Sequence, residues 1–295
     1  MNPAFLKKIK RNDRLARWVI TCGGMAIISS VILILVLIAK VSLPLFFAAD
    51  AELYSRIAPV GSQKVLSLGM DEYLETGYTL NEQGELIFFG IKDGQELDRV
   101  QLNAEDSVMR LVAVENFGQL NHALLWEDGS LTIEQIQFKP FFDEANGNQR
   151  SIVHQVEQRA VFAANTEGPL LMTQVRINND GRRTRVDLLA DGRLLLQQQE
   201  VSENFLGEEE ISENSHDLPL NVIGLVSALA LSSDGLQLYM GTDRGELLRW
   251  NLDDIEEPEL VDQLHAFNDQ RAITALTLVF GDVSILCLVG PPGVG

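Results

Sequence analysis

Residues 19–39, VITCGGMAIISSVILILVLIA, run for 21 positions without one charged side chain. As a helix this segment rises about 31 Å, close to the hydrocarbon thickness of a bilayer. A core helix of a water-soluble protein keeps a polar stripe over so many turns, and none is present here. The run therefore predicts a transmembrane helix. Trp18 and Lys40 flank it, as suits an interfacial ring and a snorkelling amine. Pro44 ends it, and Phe46 and Phe47 are placed as interfacial side chains.

A basic cluster precedes the run. Lys7, Lys8, Lys10, Arg11, Arg14 and Arg17, against Asp13, put the N-terminus on the cytoplasmic side by the positive-inside rule. The chain after Ala39 then emerges on the opposite side, the periplasm in a Gram-negative cell. A secretory signal peptide also begins basic and then apolar, but its apolar part spans about 7–15 residues before a small-residue cleavage site. This run is longer and leads into the bulky LPLFF, with AADA at 48–51 only a weak cleavage sequence. An anchor is the better reading.

The whole chain carries a formal charge of −19. Residues 1–40 hold seven basic and one acidic side chain, so the other 255 hold 16 basic and 41 acidic, a balance of −25. Such a surface is repelled by nucleic acid and by anionic lipid head groups, and its simplest meaning is solubility. Cys22 lies in the apolar run and Cys287 near the C-terminus, which makes an intrachain disulfide unexpected. The exported part must be held by its core, and it is long enough to build one.

Short apolar runs separated by turn signals fill that part. One unit reads GYTLNEQGELIFFGIKDGQELDRVQL (77–102), another NHALLWEDGSLTIEQIQF (121–138), and a third TRVDLLADGRLLLQQQEV (184–201). The clearest is VSALALSSDGLQLYMGTDRGELLRWNLDD (226–254). Strands are predicted at 226–231, 236–242 and 246–252, with turns at 232–235 and 243–245 and a fourth, outer strand at 259–265. The glycines of the matching turns, Gly84, Gly129, Gly192 and Gly245, lie 45, 63 and 53 residues apart. A propeller blade of four antiparallel strands takes about 40–50 residues. The longer intervals are assigned polar insertions, NNDGRRTR (178–185) and SENFLGEEEISENSHD (202–217).

The fold class expected is all-β: a partial WD40-like β-propeller of about four blades and the start of a fifth, preceded by one transmembrane α-helix. The boundaries read as a basic cytoplasmic tail (1–17), helix and interface (18–47), linker (48–56) and propeller (57–295). The blades fall at 57–102, 107–140, 152–201 and 218–265. AITALTLVFGDVSILCLVG (272–290) reads as a further strand pair turning at Gly281-Asp282 rather than as a second membrane span, where Asp282 would be costly in mid-bilayer. Four and a half blades do not close a ring, so the 295 residues read as the N-terminal part of something longer.

RNDRLARWVITCGGMAIISSVILILVLIAKVSLPLFFAA (11–49) resembles the start of the long form of the bacterial phosphate ABC-transporter permease subunit, PstC type. Arg11, Asp13, Arg14, Arg17, Trp18, Gly23, Gly24, Pro44, Leu45 and Phe46 carry the resemblance. In that family a basic tail and a membrane helix with a Gly-Gly pair precede a periplasmic WD40-like insertion, and the permease helices follow it. The resemblance implies a bacterial inner-membrane location. It also implies three partners: a second permease subunit, a cytoplasmic ATPase and a periplasmic phosphate-binding protein. This chain has no permease core, so by itself it is not expected to transport phosphate.

No residues are assigned as catalytic, cofactor-binding or metal-ligating. Cys22, Gly23, Ala26, Ser29 and Ser30 share a helix face that permits close helix packing, though small residues are common in lone anchors. His122, His154, His216 and His265 are scattered without ligand spacing. NNDGRR lacks the periodicity of a calcium loop, GPPGVG lacks the Lys-Ser/Thr of a phosphate loop, and Glu208–Glu210 reads as a solvated loop. Arg182, Arg183 and Arg185 alternate faces and do not converge, and Trp126 and Trp250 read as blade packing. The chain is not expected to be an enzyme, and an exported propeller dehydrogenase would need a cofactor or calcium motif. Two functions remain: a module of a phosphate importer, or a stand-alone single-span propeller serving envelope assembly or scaffolding.

Overall fold

The structure is a computed structural model. It describes residues 3–46, 53, 56, 63–102, 109–118, 120–143, 149–203, 209–279, 281–282 and 284–289. The chain falls into two compact units, 1–56 and 57–295.

The first unit is a single helix, α1 (Pro3–Ser42), followed by a 3-10 turn at Leu43–Phe46. Its Arg17–Ser42 stretch is long and apolar enough to cross a membrane, and none of it is buried by protein. The helix begins at Pro3, so the basic stretch read as a tail is helical. Pro3 is suited to a first helical turn, where its missing N–H has no partner to lose. Much of the segment read as a linker lies outside the described residues.

The second unit is built from antiparallel meanders. Sheet 1 contains β1 (Val65–Met70), β2 (Thr76–Asn81), β3 (Glu85–Gly90) and β4 (Glu96–Gln101). Sheet 2 contains β5 (Leu111–Phe117), β6 (Asn121–Trp126), β7 (Leu131–Asp143) and β8 (Gln149–Phe162). Sheet 3 contains β9 (Leu170–Ile177), β10 (Arg183–Leu189), β11 (Leu194–Glu203) and β12 (Glu209–Leu218). Sheet 4 contains β13 (Val226–Leu231), β14 (Gln237–Thr242), β15 (Glu246–Asn251) and β16 (Glu259–His265). A fifth sheet has two strands, β17 (Ile273–Val279) and β18 (Ser284–Val289). In every sheet the strands pair in chain order, and successive sheets pack face to face. This is a partial WD40-like propeller behind one apolar helix, as the sequence predicts.

Two blade boundaries differ from the sequence reading. The fourth strand of sheet 2 is β8, most of which the sequence reading places at the start of the third blade (152–201). The fourth strand of sheet 3 is β12, which covers most of a stretch taken for a polar insertion. Both are outer strands facing water. Their sequences, QRSIVHQVEQRAVF and EEISENSHDL, carry little of the apolar alternation that marks a half-buried strand. NNDGRRTR is likewise the β9–β10 turn running into β10, with Gly181 at φ +83°.

The core lies between sheets. Tyr78, Leu80, Leu86 and Phe88 of sheet 1 meet Leu111, Leu124, Trp126 and Ile136 of sheet 2. Val186, Leu188, Leu194 and Leu196 of sheet 3 meet Leu229, Met240, Leu248 and Trp250 of sheet 4. Each such side chain contributes about 1.5–3 kcal/mol when fully buried. Among the inner strands, Asn116 Nδ2 of β5 donates to Ser67 Oγ of β1 at 3.1 Å. Ser227 Oγ of β13 donates to the Ile273 carbonyl of β17 at 2.7 Å.

Candidate interaction face

Gly84, Gly129, Gly192 and Gly245 all stand in the turn between the second and third strands of their sheets, at φ +75°, +86°, +88° and +79°. The sequence spacing therefore marked equivalent turns. At the opposite end of the strands are the turns joining first to second strands, among them 118–120, 178–182 and 232–236. Two adjoining clefts open there. One, of about 470 Å³, is lined by Phe117, Arg159, Arg176, Ile177, Asn178 and Ser233 among others. Its neighbour, of about 440 Å³, shares Arg159 and Ile177 and adds Glu157, Asp180 and Arg183.

Strand alternation and the meander put these cations at one end of sheets 2 and 3. Arg176 pairs with Glu115 at 2.8 Å and lies 5.1 Å from the Phe117 ring centroid. Arg159 is 3.5 Å from Glu157, a loose pair on an exposed strand. The clefts thus present guanidinium, carboxylate and amide groups on open walls. Such a surface is polar and offers no apolar enclosure for a small molecule.

Of the residues weighed from sequence, Arg183 and the NNDG turn line the second cleft, and the others lie elsewhere. Arg182 reaches Glu200 at 3.2 Å and Asp253 at 3.3 Å, and Arg183 donates to Gln199 at 3.4 Å. Arg185 is fully buried, and its Nε and Nη2 grip the two Asp187 carboxylate oxygens at 2.9 Å each. The same guanidinium donates to the carbonyls of Ala163 at 3.2 Å and Gly129 at 3.1 Å, and Asp187 also accepts from Thr173 and Asn165. This cluster fastens sheet 3 to the preceding sheet. Reading the three arginines as a group overlooked it; the signal was the R-x-D spacing of RTRVD, which puts Arg185 and Asp187 on one face of a strand.

His122 is buried. Its Nδ1 faces the Leu120 carbonyl at 3.0 Å, so that nitrogen carries the proton, and Nε2 accepts from the Tyr78 hydroxyl at 2.8 Å. Burial pushes the His122 pKa below the ordinary imidazole value, while the backbone contacts oppose the shift. Burial likewise raises the nearby Glu134 carboxyl and the Tyr78 hydroxyl. His154 stacks on Phe88 with ring centroids 3.8 Å apart and meets Asp98 at 2.9 Å. Its hydrogen bond holds the Asp98 carboxyl below the usual range. His216 sits opposite Leu196, and His265 opposite Glu246.

Trp126 and Trp250 are both buried between sheets, and Trp126 Nε1 donates to Thr132 at 3.1 Å. Cys22 and Cys287 are free thiols, and burial raises the pKa of Cys287. Of Glu208–Glu210, the last two begin β12 and Glu208 lies outside the described residues, as does GPPGVG. Among the described residues no group of three or more His, Cys, Asp or Glu is placed to hold a metal.

No family model matches the chain, and no curated protein matches it. Among solved structures, the WD40 domain of SCAP from fission yeast aligns at 7% identity with a TM-score of 0.43, over 73% of this chain and 48% of that one. Chaetomium thermophilum Raptor aligns at 11% identity and 0.43, over 73% of this chain and 18% of that one. The chain thus spans less than half the length of either. Likeness of this degree concerns the fold alone.

Proposed function

We propose that this chain is the membrane anchor and periplasmic interaction module of an inner-membrane phosphate importer's permease subunit, without the transport core. The observation that carries the reading is an order of parts. In chain order, a helix with a basic first part and a charge-free run at 19–39 precedes stacked four-stranded meanders, the arrangement that the resemblance over residues 11–49 implies. In this reading α1 holds the module in the inner membrane with its basic end in the cytoplasm. Tethering keeps the propeller at high effective concentration beside the other subunits. The arginine-lined clefts then serve as contacts for the phosphate-binding protein or a neighbouring permease subunit. The role is binding rather than catalysis and calls for no cofactor.

Deleting residues 57–295 from the parent protein, with the rest of the reading frame intact, tests the role. Reduced phosphate uptake and reduced capture of the binding protein are expected, and unchanged values for both overturn it.

A second reading, a single-span propeller scaffolding other envelope proteins, draws on the same clefts and on there being one candidate span among the described residues. The mass of the native protein in membranes separates the two. A product near 32.7 kDa favours the scaffold, whereas one about twice as large with further spans favours the permease.

A further inference from the structure

Sheets 2 and 3 do not close completely against each other. Sheet 2 turns Ala123 and Ala160 into their seam, and β9 offers Val175 as its buried apolar side chain there. Short side chains leave space that close packing would otherwise fill. Beside Ala123 and Val175 that space is about 200 Å³. Sharing Leu125 with it, a cup of about 270 Å³ opens at the strand end that carries Gly129, opposite the arginine-lined clefts. The apolar walls of the cup are Val112 and Leu125 of sheet 2 and Pro169 and Leu170 at the entry to sheet 3. Its volume lies below the ~300–1,000 Å³ of small-molecule sites and suits one long side chain.

The mouth of the cup is acidic. Glu127 and Asp128, in the turn between β6 and β7, are exposed on its rim, and neither has an ion-pair partner among the described residues. Asp128 Oδ1 accepts from the Ser130 amide at 2.9 Å and hydroxyl at 2.6 Å, which fixes the turn. Cations on the adjoining segments are already held by carboxylates. Arg193 lies among Glu167, Asp191 and Asp217 at 2.7, 2.8 and 3.4 Å. Arg110 pairs with Glu82 at 3.1 Å, and the buried Arg185 with Asp187. The charge left over around the mouth is negative.

We propose that this cup takes a lysine or arginine side chain from a partner polypeptide. The aliphatic stem lies on Val112, Leu125 and Leu170, and the cationic head reaches the carboxylates of Glu127 and Asp128. An acidic side chain is repelled at the rim, and an apolar one leaves the rim unused. The acidic balance of −25 beyond residue 40 steers basic segments toward the site.

The test uses the full chain in detergent micelles with methyl-labelled leucine and valine, and a capped alanine-serine peptide carrying one central arginine. Saturable shifts are expected at the methyls of Val112, Leu125 and Leu170, with none at the exposed neighbour Leu171. Citrulline in place of the arginine keeps the shape and loses the charge, whereas diaminopropionate keeps a charge and loses the stem. Each should weaken binding about fivefold or more. Glu127→Gln should weaken arginine binding about threefold and leave citrulline binding unchanged, a difference that misfolding does not produce. The proposal is overturned if no saturable shift appears at those methyls or if Leu171 shifts alongside them. It is equally overturned if either substituted peptide binds as well as the arginine peptide, or if Glu127→Gln affects arginine and citrulline binding alike.

Discussion

Arg185 and Asp187 are both wholly buried, and each is satisfied through the other. Such a pair resists single changes more than it adds stability, because removing one partner strands a charge out of water. Asp187→Ala should lower the unfolding free energy of the propeller by about 3–5 kcal/mol, read from denaturant unfolding of the full chain in detergent. A loss below about 1 kcal/mol, the scale of an exposed pair, would contradict the account. His122 sets a pH dependence. Its folded pKa lies below its unfolded value, so its contribution is full above about pH 6.5 and is lost as pH falls through the folded value. Glu134 has the opposite sign, since its raised pKa means that acidification relieves the cost of burying its charge. His122→Gln should therefore flatten or reverse the fall in unfolding temperature between about pH 7 and about pH 5. An unchanged slope would show that other groups govern it. At this scale the sequence marked Trp126 and Trp250 as blade packing, and both are buried between sheets. It did not reveal the Tyr78–His122 bond, because those residues are 44 positions apart and meet only when two sheets stack.

At the scale of elements, the turn glycines separate conformational need from packing need. Gly192 and Gly245 both have positive φ, but a Cβ at Gly192 meets nothing within 4 Å, whereas one at Gly245 would stand 2.7 Å from the Arg271 carbonyl oxygen. Gly192→Ala should cost about 1–2 kcal/mol from left-handed strain alone. Gly245→Ala should cost visibly more, because Arg271 belongs to the segment entering β17 and its backbone must shift. Equal losses in thermal unfolding would refute the distinction. Sheet 4 was legible strand by strand, since VSALAL, QLYMGT and ELLRWN alternate with turn residues between them. β8 and β12 were not legible, because an outer strand is fixed by ladder hydrogen bonds to β7 and β11 rather than by its own apolar pattern. The arginine-lined clefts were also beyond sequence reading. They join turns from three sheets, and nothing local marks Arg159 and Arg176 as neighbours.

For the whole molecule, the uneven charge is the strongest constraint. In the proposed reading, the basic residues in the first part of α1 and the acidic balance of −25 beyond residue 40 stand on opposite sides of a bilayer, with the apolar part of the helix separating them. The most direct test adds protease to intact spheroplasts and follows the chain with antibodies against residues 1–17 and against sheet 4. The account predicts that the sheet 4 signal is trimmed or released from outside while the basic segment stays protected and membrane-bound. A sheet 4 signal that is soluble before any protease is added, or that resists protease until the membrane is broken, would contradict it.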